Sequence, residues 1–377
     1  MKVIILDNLF TGEWKAKGRE EMIEILDRPM NRLLEDALTA ADLKVENLED
    51  FHISDSDELM VLSLGTCAVS AKVLASFASS SASRLVDRDG LAGGIKVQTA
   101  ILASLIEQKE NIFFEDLIQD QESRPVQGAA DQEKENFMVM DAPLVHSFES
   151  LQKAEQQKFK EIARKWMNKG IRIDQPDLVR IGPGVKIGEG TWISGLCYLV
   201  GQTVIGKNCR ITDRSEIIDS ILGDQVTVKS SLIESSEMDE GSNIGPFSHL
   251  RPGAKIGRGC HIGNFVEVKN SVLGPGTKAG HLAYIGDADL GEEINVSCGV
   301  IFCNYDGKRK HRSVVGSHSF LGSNANVVAP VVIDENAFIA AGSTITKDVQ
   351  EGCLAVERAE QRNLPGYVER KKNKGEL

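Results

Sequence analysis

Residues 181–190 read IGPGVKIGEG and residues 256–265 read IGRGCHIGNF. In both, an isoleucine followed by glycine returns after six residues. The same step links Ile181, Ile187, Ile193, Leu199, Ile205 and Ile211. It resumes through Ile244, Leu250, Ile256, Ile262 and Val268, and again through Val315, Leu321, Val327, Ile333, Ile339 and Ile345. A hexad sustained over so many repeats is the signature of a parallel β-solenoid. Three hexads make one triangular coil of about 18 residues, its aliphatic side chains pointing inward. Each coil touches only its neighbours, so the number of coils can vary without changing the fold.

The rest of the 377-residue chain is written differently. Up to about residue 140, short apolar runs such as MKVIIL and ELMVLSL predict buried strands. REEMIEILDRPMNRLLEDALTAA (residues 19–41) and AVSAKVLASFASS (residues 68–80) carry helical spacing, which predicts a small α/β domain with some parallel sheet. Residues 119–136, QDQESRPVQGAADQEKEN, are polar and predict a loop. Residues 147–170, SFESLQKAEQQKFKEIARKWMNKG, predict an amphipathic connecting helix ended by Gly170. The expected organisation is an α/β domain over 1–140, a connector over 141–176 and a β-helix over 177–377 with a C-terminal tail.

Composition narrows the function. Hydrophobic residues make up 41% and charged residues 26%, ordinary values for a globular protein, while the net charge of −12 argues against nucleic-acid binding. No window reaches membrane-span length, and the N-terminus lacks the apolar core and cleavage site of a signal peptide, so a cytoplasmic protein is expected. The seven cysteines show no metal or disulfide spacing.

Chemistry is concentrated where the repeat falters. Arg251 and Lys269 are 18 residues apart in unbroken phase, so they should stack on successive coils, about 4.8 Å apart. Two such cations either splay into water or share an anion, most simply a phosphate. His281, two places after the inward Ala279, should lie outward near a corner, with Tyr284 close by. It is either an ordinary surface histidine or a base able to take a proton from an attacking amine or hydroxyl. Between residues 300 and 314 the hexad fails, and a loop carries Lys308, Arg309, Lys310 and His311. That loop is either a solvated basic segment or a functional one.

Five stretches, in order, carry a resemblance. They are IGPFSHLRPGAKIGRGCHIGNFVEVKNS (244–271), GPGTKAGHLAYIGDADLG (274–291), CNYDGKRKHRSVVG (303–316), FLGSNANVVAPVVI (320–333) and IAAGSTITKDV (339–349). Together they closely resemble the acetyltransferase half of the bifunctional N-acetylglucosamine-1-phosphate uridyltransferase/glucosamine-1-phosphate acetyltransferase family. The resemblance implies a left-handed parallel β-helix that trimerises, with active sites between subunits. It implies acetyl-CoA as co-substrate, no metal for acetyl transfer, and an amino-sugar phosphate as acceptor. His281 would be the general base. Arg251, Lys269, Tyr284, Asn295 and Lys310 would bind the sugar phosphate. Asn304, Tyr305, Ser323, Ala341 and Arg358 would meet the acetyl-CoA end of the site. At Cys298 and Phe302 the family has smaller or threonine residues, which puts the cofactor contacts there in doubt.

The first half resembles the family less. ILDRPMNRLLEDAL matches the segment after its nucleotide loop, but LDNLFTGEWKAKG stands where a glycine-rich loop should wrap a triphosphate. LSLGTCAVS replaces a metal-binding aspartate and VMDAPLVHS replaces paired asparagines. The expectation is a reduced, inactive nucleotidyltransferase-like module. The expected function is acetylation of glucosamine-1-phosphate or a related amino-sugar phosphate. Alternatives are a bifunctional enzyme that keeps uridyl transfer, or a non-catalytic sensor or assembly protein. A three-histidine metal site is disfavoured, because His249, His261 and His281 share no common coil step.

Overall fold

The structure is a computed structural model. It describes residues 2–6, 24–25, 28–45, 58–63, 66, 69–80, 82, 84–86, 92–98, 137–140, 144–145 and 148–377. The polar segment 119–136 and nearly all of LDNLFTGEWKAKG lie outside the described residues. Two compact units are present: Met1–Lys165 with Ile181–Pro183, and Trp166–Arg180 with Gly184–Leu377.

In the first unit a six-stranded sheet runs in the order Lys44–Val45, Lys2–Leu6, Glu58–Ser63, Ala92–Gln98, Arg84–Val86, Phe137–Val139. The first three strands are parallel, and Ala92–Gln98 is antiparallel to both its neighbours. Helices Met30–Ala40 and Ala71–Ser79 supply Leu34, Leu38, Leu74 and Phe77 to a core shared with Met60, Leu62 and Leu85. The helix predicted over residues 19–41 starts only at Met30, because Glu24–Ile25 and Arg28–Pro29 pair as a short antiparallel ribbon. Pro29 cannot stand inside a helix but is well placed just before its first turn. The amphipathic helix Phe148–Met167 places Ala154 and Phe159 in the same core.

Lys96 is buried there, at 8% exposure. Its ammonium lies 2.5 Å from the Ser80 carbonyl at the end of Ala71–Ser79 and 5.2 Å from the Phe77 ring. A cation suits the free carbonyls and negative dipole end of a helix C-terminus.

The second unit is a left-handed parallel β-helix whose three faces are parallel sheets of ten, nine and eleven strands. Ile193, Ile211, Val228, Ile244, Ile262, Ala279 and Val296 form one inward column, each 2% exposed or less. The hexads do not stop between 211 and 244. They continue through Ile217, Leu222, Val228, Ile233 and Met238, with the spacing shortened to five residues at several corners. A coil there takes 17 or 16 residues, as in Val204↔Ile221 and Glu216↔Leu232, against 18 for Trp192↔Arg210. Nor does the repeat end at 300. Phe302 fills the next inward position at 1% exposure, and the coil resumes at Val315 after an ejected loop.

A ladder of small polar side chains ties coil to coil. Thr191, Ser242 and Thr277 donate hydroxyl hydrogen bonds to the carbonyls of Gly206, Gly257 and Gly291 at 3.0, 2.7 and 3.0 Å. Cys209 and Cys260 occupy the same step, their thiols 3.1 Å from the carbonyls of Gly223 and Gly274. Burial pushes the Cys260 thiol up to about 11, so this sulfur acts as a structural donor. Among the described residues no helix is long and apolar enough to cross a membrane.

Candidate active site

Two rows of side chains lie near each other, one on the ten-stranded face and one at the Leu282 corner that precedes it. The first lies on the ten-stranded face. Register pairs Arg251 with Lys269, and Lys269 with Gly286, on successive coils, so the cation column expected from spacing is present. Gly286 leaves room for its neighbours: a Cβ there would stand 2.5 Å from Tyr284 Cζ and 2.8 Å from Asn304 Nδ2. The ring of Tyr284 therefore lies over the glycine, and Asn304 Nδ2 donates to its hydroxyl at 3.3 Å.

The stacked cations are tolerated because carboxylates interleave with them. Arg251 Nη1 donates to Glu267 Oε1 at 2.8 Å, which raises the guanidinium pKa. Lys269 Nζ stands 3.6 Å from Asp287 Oδ2, with side chains 19% and 8% exposed. The Lys269 ammonium is held above its usual range, first by a hydrogen bond to the Lys310 amine and then by Asp287 and Tyr284, against partial burial. Lys310 is pushed down by the same neighbour, so Lys269 is the member of the pair that holds its proton more tightly.

The ejected loop is preorganised. Asp306 Oδ1 accepts the backbone N–H groups of Lys308 and Arg309, both at 2.7 Å, and its Oδ2 lies 2.7 Å from His311 Nε2. These contacts hold the Asp306 carboxyl at about 2. A bridge joins Tyr305 to Lys310, and the Tyr305 hydroxyl donates to the Gly307 carbonyl at 2.7 Å. Arg312 clasps Asp289 with Nε and Nη2 and donates from Nη1 to the Asn270 carbonyl at 2.8 Å. The loop thus presents Lys310 to Lys269 from a rigid base.

The second row starts at His281, the last residue of the strand Lys278–His281 and exposed. Leu282 turns the corner at φ +44°. Among the described residues the His281 imidazole has no hydrogen-bond partner, so its ring is free to meet a ligand. Coil register carries the His281 position to Cys298, then Ser323, then Ala341. Steps of about 4.8 Å put Ser323 roughly 10 Å and Ala341 roughly 14 Å along the axis from His281. Arg358 Nη1 donates to the Ala341 carbonyl at 2.6 Å and closes that end of the row.

Beside this row the eleven-stranded face is nearly bare. Gly263, Gly280, Ser297 and Gly322 hold successive positions there, and a Cβ on Gly280 would meet nothing within 4 Å. Beyond this floor stand Lys278, Asn295, Phe320 and Phe338, the two phenylalanine rings stacked at 4.4 Å.

The sequence-predicted residues therefore fall into two sets. Arg251, Lys269, Tyr284, Asn304 and Lys310 meet on the ten-stranded face, with Tyr305 on the loop beside them. His281, Ser323, Ala341 and Arg358 line the corner. Asn295 stands apart, in register with Lys278 and so three residues before His281, about 10 Å along the strand. Asn304 is 8% exposed and faces Tyr284 and Asp287, placing it with the cations and not with Ser323. Residues 295–302, around Cys298 and Phe302, divide accordingly: Phe302 is core, while Cys298 is a half-buried thiol on the corner row.

Sequence reasoning missed Asp287, Asn270 and the glycine floor. A signal for the first two was present: Asn270 and Asp287 follow successive coil strands 17 residues apart, at corners with φ +46° and +50°. Asn and Asp are the non-glycine residues that take this backbone most readily. His249 and His261 turn to other partners, Glu234 at 2.6 Å and Asn243 at 2.5 Å. Among the described residues no cluster of three or more His, Cys, Asp or Glu is arranged to hold a metal ion.

Known proteins share this sequence pattern. Residues 235–270 and 312–347 match the family model described as bacterial transferase hexapeptide (six repeats). The bifunctional protein GlmU of Thermodesulfovibrio yellowstonii is 49% identical over 212 residues, 56% of this chain and 47% of that protein. GlmU of Enterococcus faecalis is 50% identical over 204 residues, 54% of this chain and 44% of its own length. Over those residues the chain is similar to GlmU. It spans about half the length of the curated relatives it matches. GlmU of Clostridium beijerinckii extends the likeness, at 48% identity over 205 residues and 45% of its length.

Proposed function

We propose that the β-helix transfers the acetyl group of acetyl-CoA to the amine of glucosamine-1-phosphate or a closely related amino-sugar phosphate. The observation that carries this reading is the pair of rows, one on the ten-stranded face and one at the corner that precedes it. An anion cradle of Arg251, Lys269 and Lys310 lies on one side, and an unpartnered imidazole begins a bare axial groove on the other. The GlmU names of its relatives support the same assignment.

The cradle fixes the phosphate through charge-assisted hydrogen bonds and Tyr284 adds its hydroxyl. The extended arm of acetyl-CoA lies along the Gly280–Gly322 floor beside Ser323 and Ala341, bringing its thioester to His281. The amine nitrogen attacks the carbonyl carbon while His281 Nδ1 or Nε2 takes the amine proton. Ser323 and backbone N–H groups stabilise the oxyanion, the C–S bond breaks, and the departing thiolate receives a proton. His281 is the general base of this reading. The transfer as written uses no metal.

Asn295 lies outside the reach of this corner within one chain. A homotrimer in which a neighbouring copy brings its Asn295 face to the His281 corner accounts for it. Phe247, Phe265 and Leu282, 60%, 55% and 57% exposed at successive corners, give that edge an apolar strip suited to a subunit contact. We assign the protein to the cytoplasm, and read the product as a precursor of cell-envelope polysaccharide. The deciding experiment offers acetyl-CoA with a panel of amino sugars and amino-sugar phosphates to the full-length protein and follows release of free thiol. Turnover with glucosamine-1-phosphate and none with glucosamine supports the reading. Turnover indifferent to the phosphate removes the cradle from it.

A further inference from the structure

We propose that Asp287 is the positioning residue of the anion cradle, holding the ammonium of Lys269 and the amide of Asn304 in place for a phosphate monoester. This rests on the reading of Arg251, Lys269 and Lys310 as the sugar-phosphate site.

Asp287 is 6% exposed, and two amides and an ammonium converge on its carboxylate. Oδ1 accepts Asn270 Nδ2 at 2.6 Å, and Oδ2 accepts Asn304 Nδ2 at 2.5 Å with Lys269 Nζ 3.6 Å away. Its backbone is equally engaged. The N–H donates to the Lys269 carbonyl at 3.0 Å, and the Asp287 carbonyl accepts the N–H of Ser313 at 3.1 Å. One residue thus ties together the coil that bears Lys269, the base of the ejected loop at Asn304, and the strand that resumes after it.

The carboxylate has an electrostatic task. The charged groups facing it are Lys269 on the preceding coil and Lys310 and Arg312 from the loop, with the Tyr284 hydroxyl beyond Asn304. Without an anion between them, Lys269 and Lys310 repel each other. Burial would raise the Asp287 carboxyl, but the amides of Asn270 and Asn304 and the two lysines outweigh it and lower it, so it stays ionised. A fixed negative charge favours the protonated form of both amines before substrate arrives. Lys310, already pushed down by Lys269, depends on it most.

Asp287→Asn preserves size and removes the charge. The sign follows: Asp287 raises the Lys310 pKa, so its loss lowers that pKa further, and Lys310 deprotonates at a lower pH. In the full-length variant the KM for glucosamine-1-phosphate should rise at least tenfold at neutral pH, with kcat within about threefold of wild type. The alkaline rise in KM should begin at lower pH than in wild type. Titration with inorganic phosphate, which needs no turnover, should weaken in parallel. A role in folding alone would lower the amount of active protein and leave the pH limb and phosphate affinity of the folded fraction unchanged; that result overturns the proposal. If Asp287→Asn does not fold, Asn270→Ala keeps the charge but frees the carboxylate. It should raise KM severalfold without moving the pH limb, and an unchanged KM overturns the proposal. If wild-type protein binds phosphate yet acetylates no sugar phosphate, the acetyltransferase reading fails while Asp287 is still tested by the phosphate titration.

Discussion

Replacing Lys269 with methionine separates binding from chemistry most cleanly. The side chain is 19% exposed and stands 3.6 Å from Asp287. Methionine keeps the length of the stem and removes the charge. A charge-assisted hydrogen bond contributes about 1.5–3 kcal/mol, and each 1.4 kcal/mol is tenfold, so KM for glucosamine-1-phosphate should rise about 10- to 150-fold. kcat at saturating substrate should change little, because the proton acceptor is untouched. Stability should fall by no more than about 0.5–1.5 kcal/mol, the net worth of one polar interaction, because Asp287 keeps both its amide donors. The assay is thiol release against sugar-phosphate concentration, with thermal melting as the check on folding. A folded variant with KM within twofold of wild type would refute the reasoning that stacks Arg251 and Lys269 around a phosphate.

Two further outcomes follow from the same geometry. Ile262→Ala empties a fully buried position of an inward column and should destabilise the β-helix by about 2–5 kcal/mol in denaturant unfolding, with no change in KM for substrate in the folded protein. Cys298 shares the corner row with His281 and Ser323, so acetyl-CoA should slow its alkylation by iodoacetamide at least tenfold, read by peptide mass spectrometry, while exposed Cys353 is alkylated at an unchanged rate.

The fold of the β-helix was legible because one physical requirement, an inward apolar residue at each face, recurs from Ile181 to Ile345 with a single ejected loop after Cys303. What spacing concealed was the looseness of the corners. A coil stays closed whether its three steps total 18, 17 or 16 residues, since a corner can drop one residue without moving the inward column. The failure expected between residues 300 and 314 begins later: Phe302 keeps the six-residue step as a non-aliphatic member of the column, and the real break is the loop after Cys303.

The site was legible in its cations and its histidine, because these sit at fixed phase against the repeat. It was not legible in what holds them. Asn270 and Asp287 follow their strands at left-handed corners, where side-chain direction depends on a backbone angle that no periodicity reports. The contact of Lys310 with Lys269 depends on a turn organised by Asp306, which brings residues 41 positions apart together. In the first unit the helical spacing was real from Met30 to Ala40, but the strand pair Glu24–Ile25 with Arg28–Pro29 stands before it.

The measurement that bears most directly on the account is turnover by His281→Ala, followed as free thiol with acetyl-CoA and glucosamine-1-phosphate, beside a titration of the same protein with inorganic phosphate. Loss of a positioned general base should lower kcat by about 10²- to 10⁴-fold, while phosphate binds as it does to wild type. Undiminished turnover in the folded variant would contradict the account and remove His281 from the chemistry.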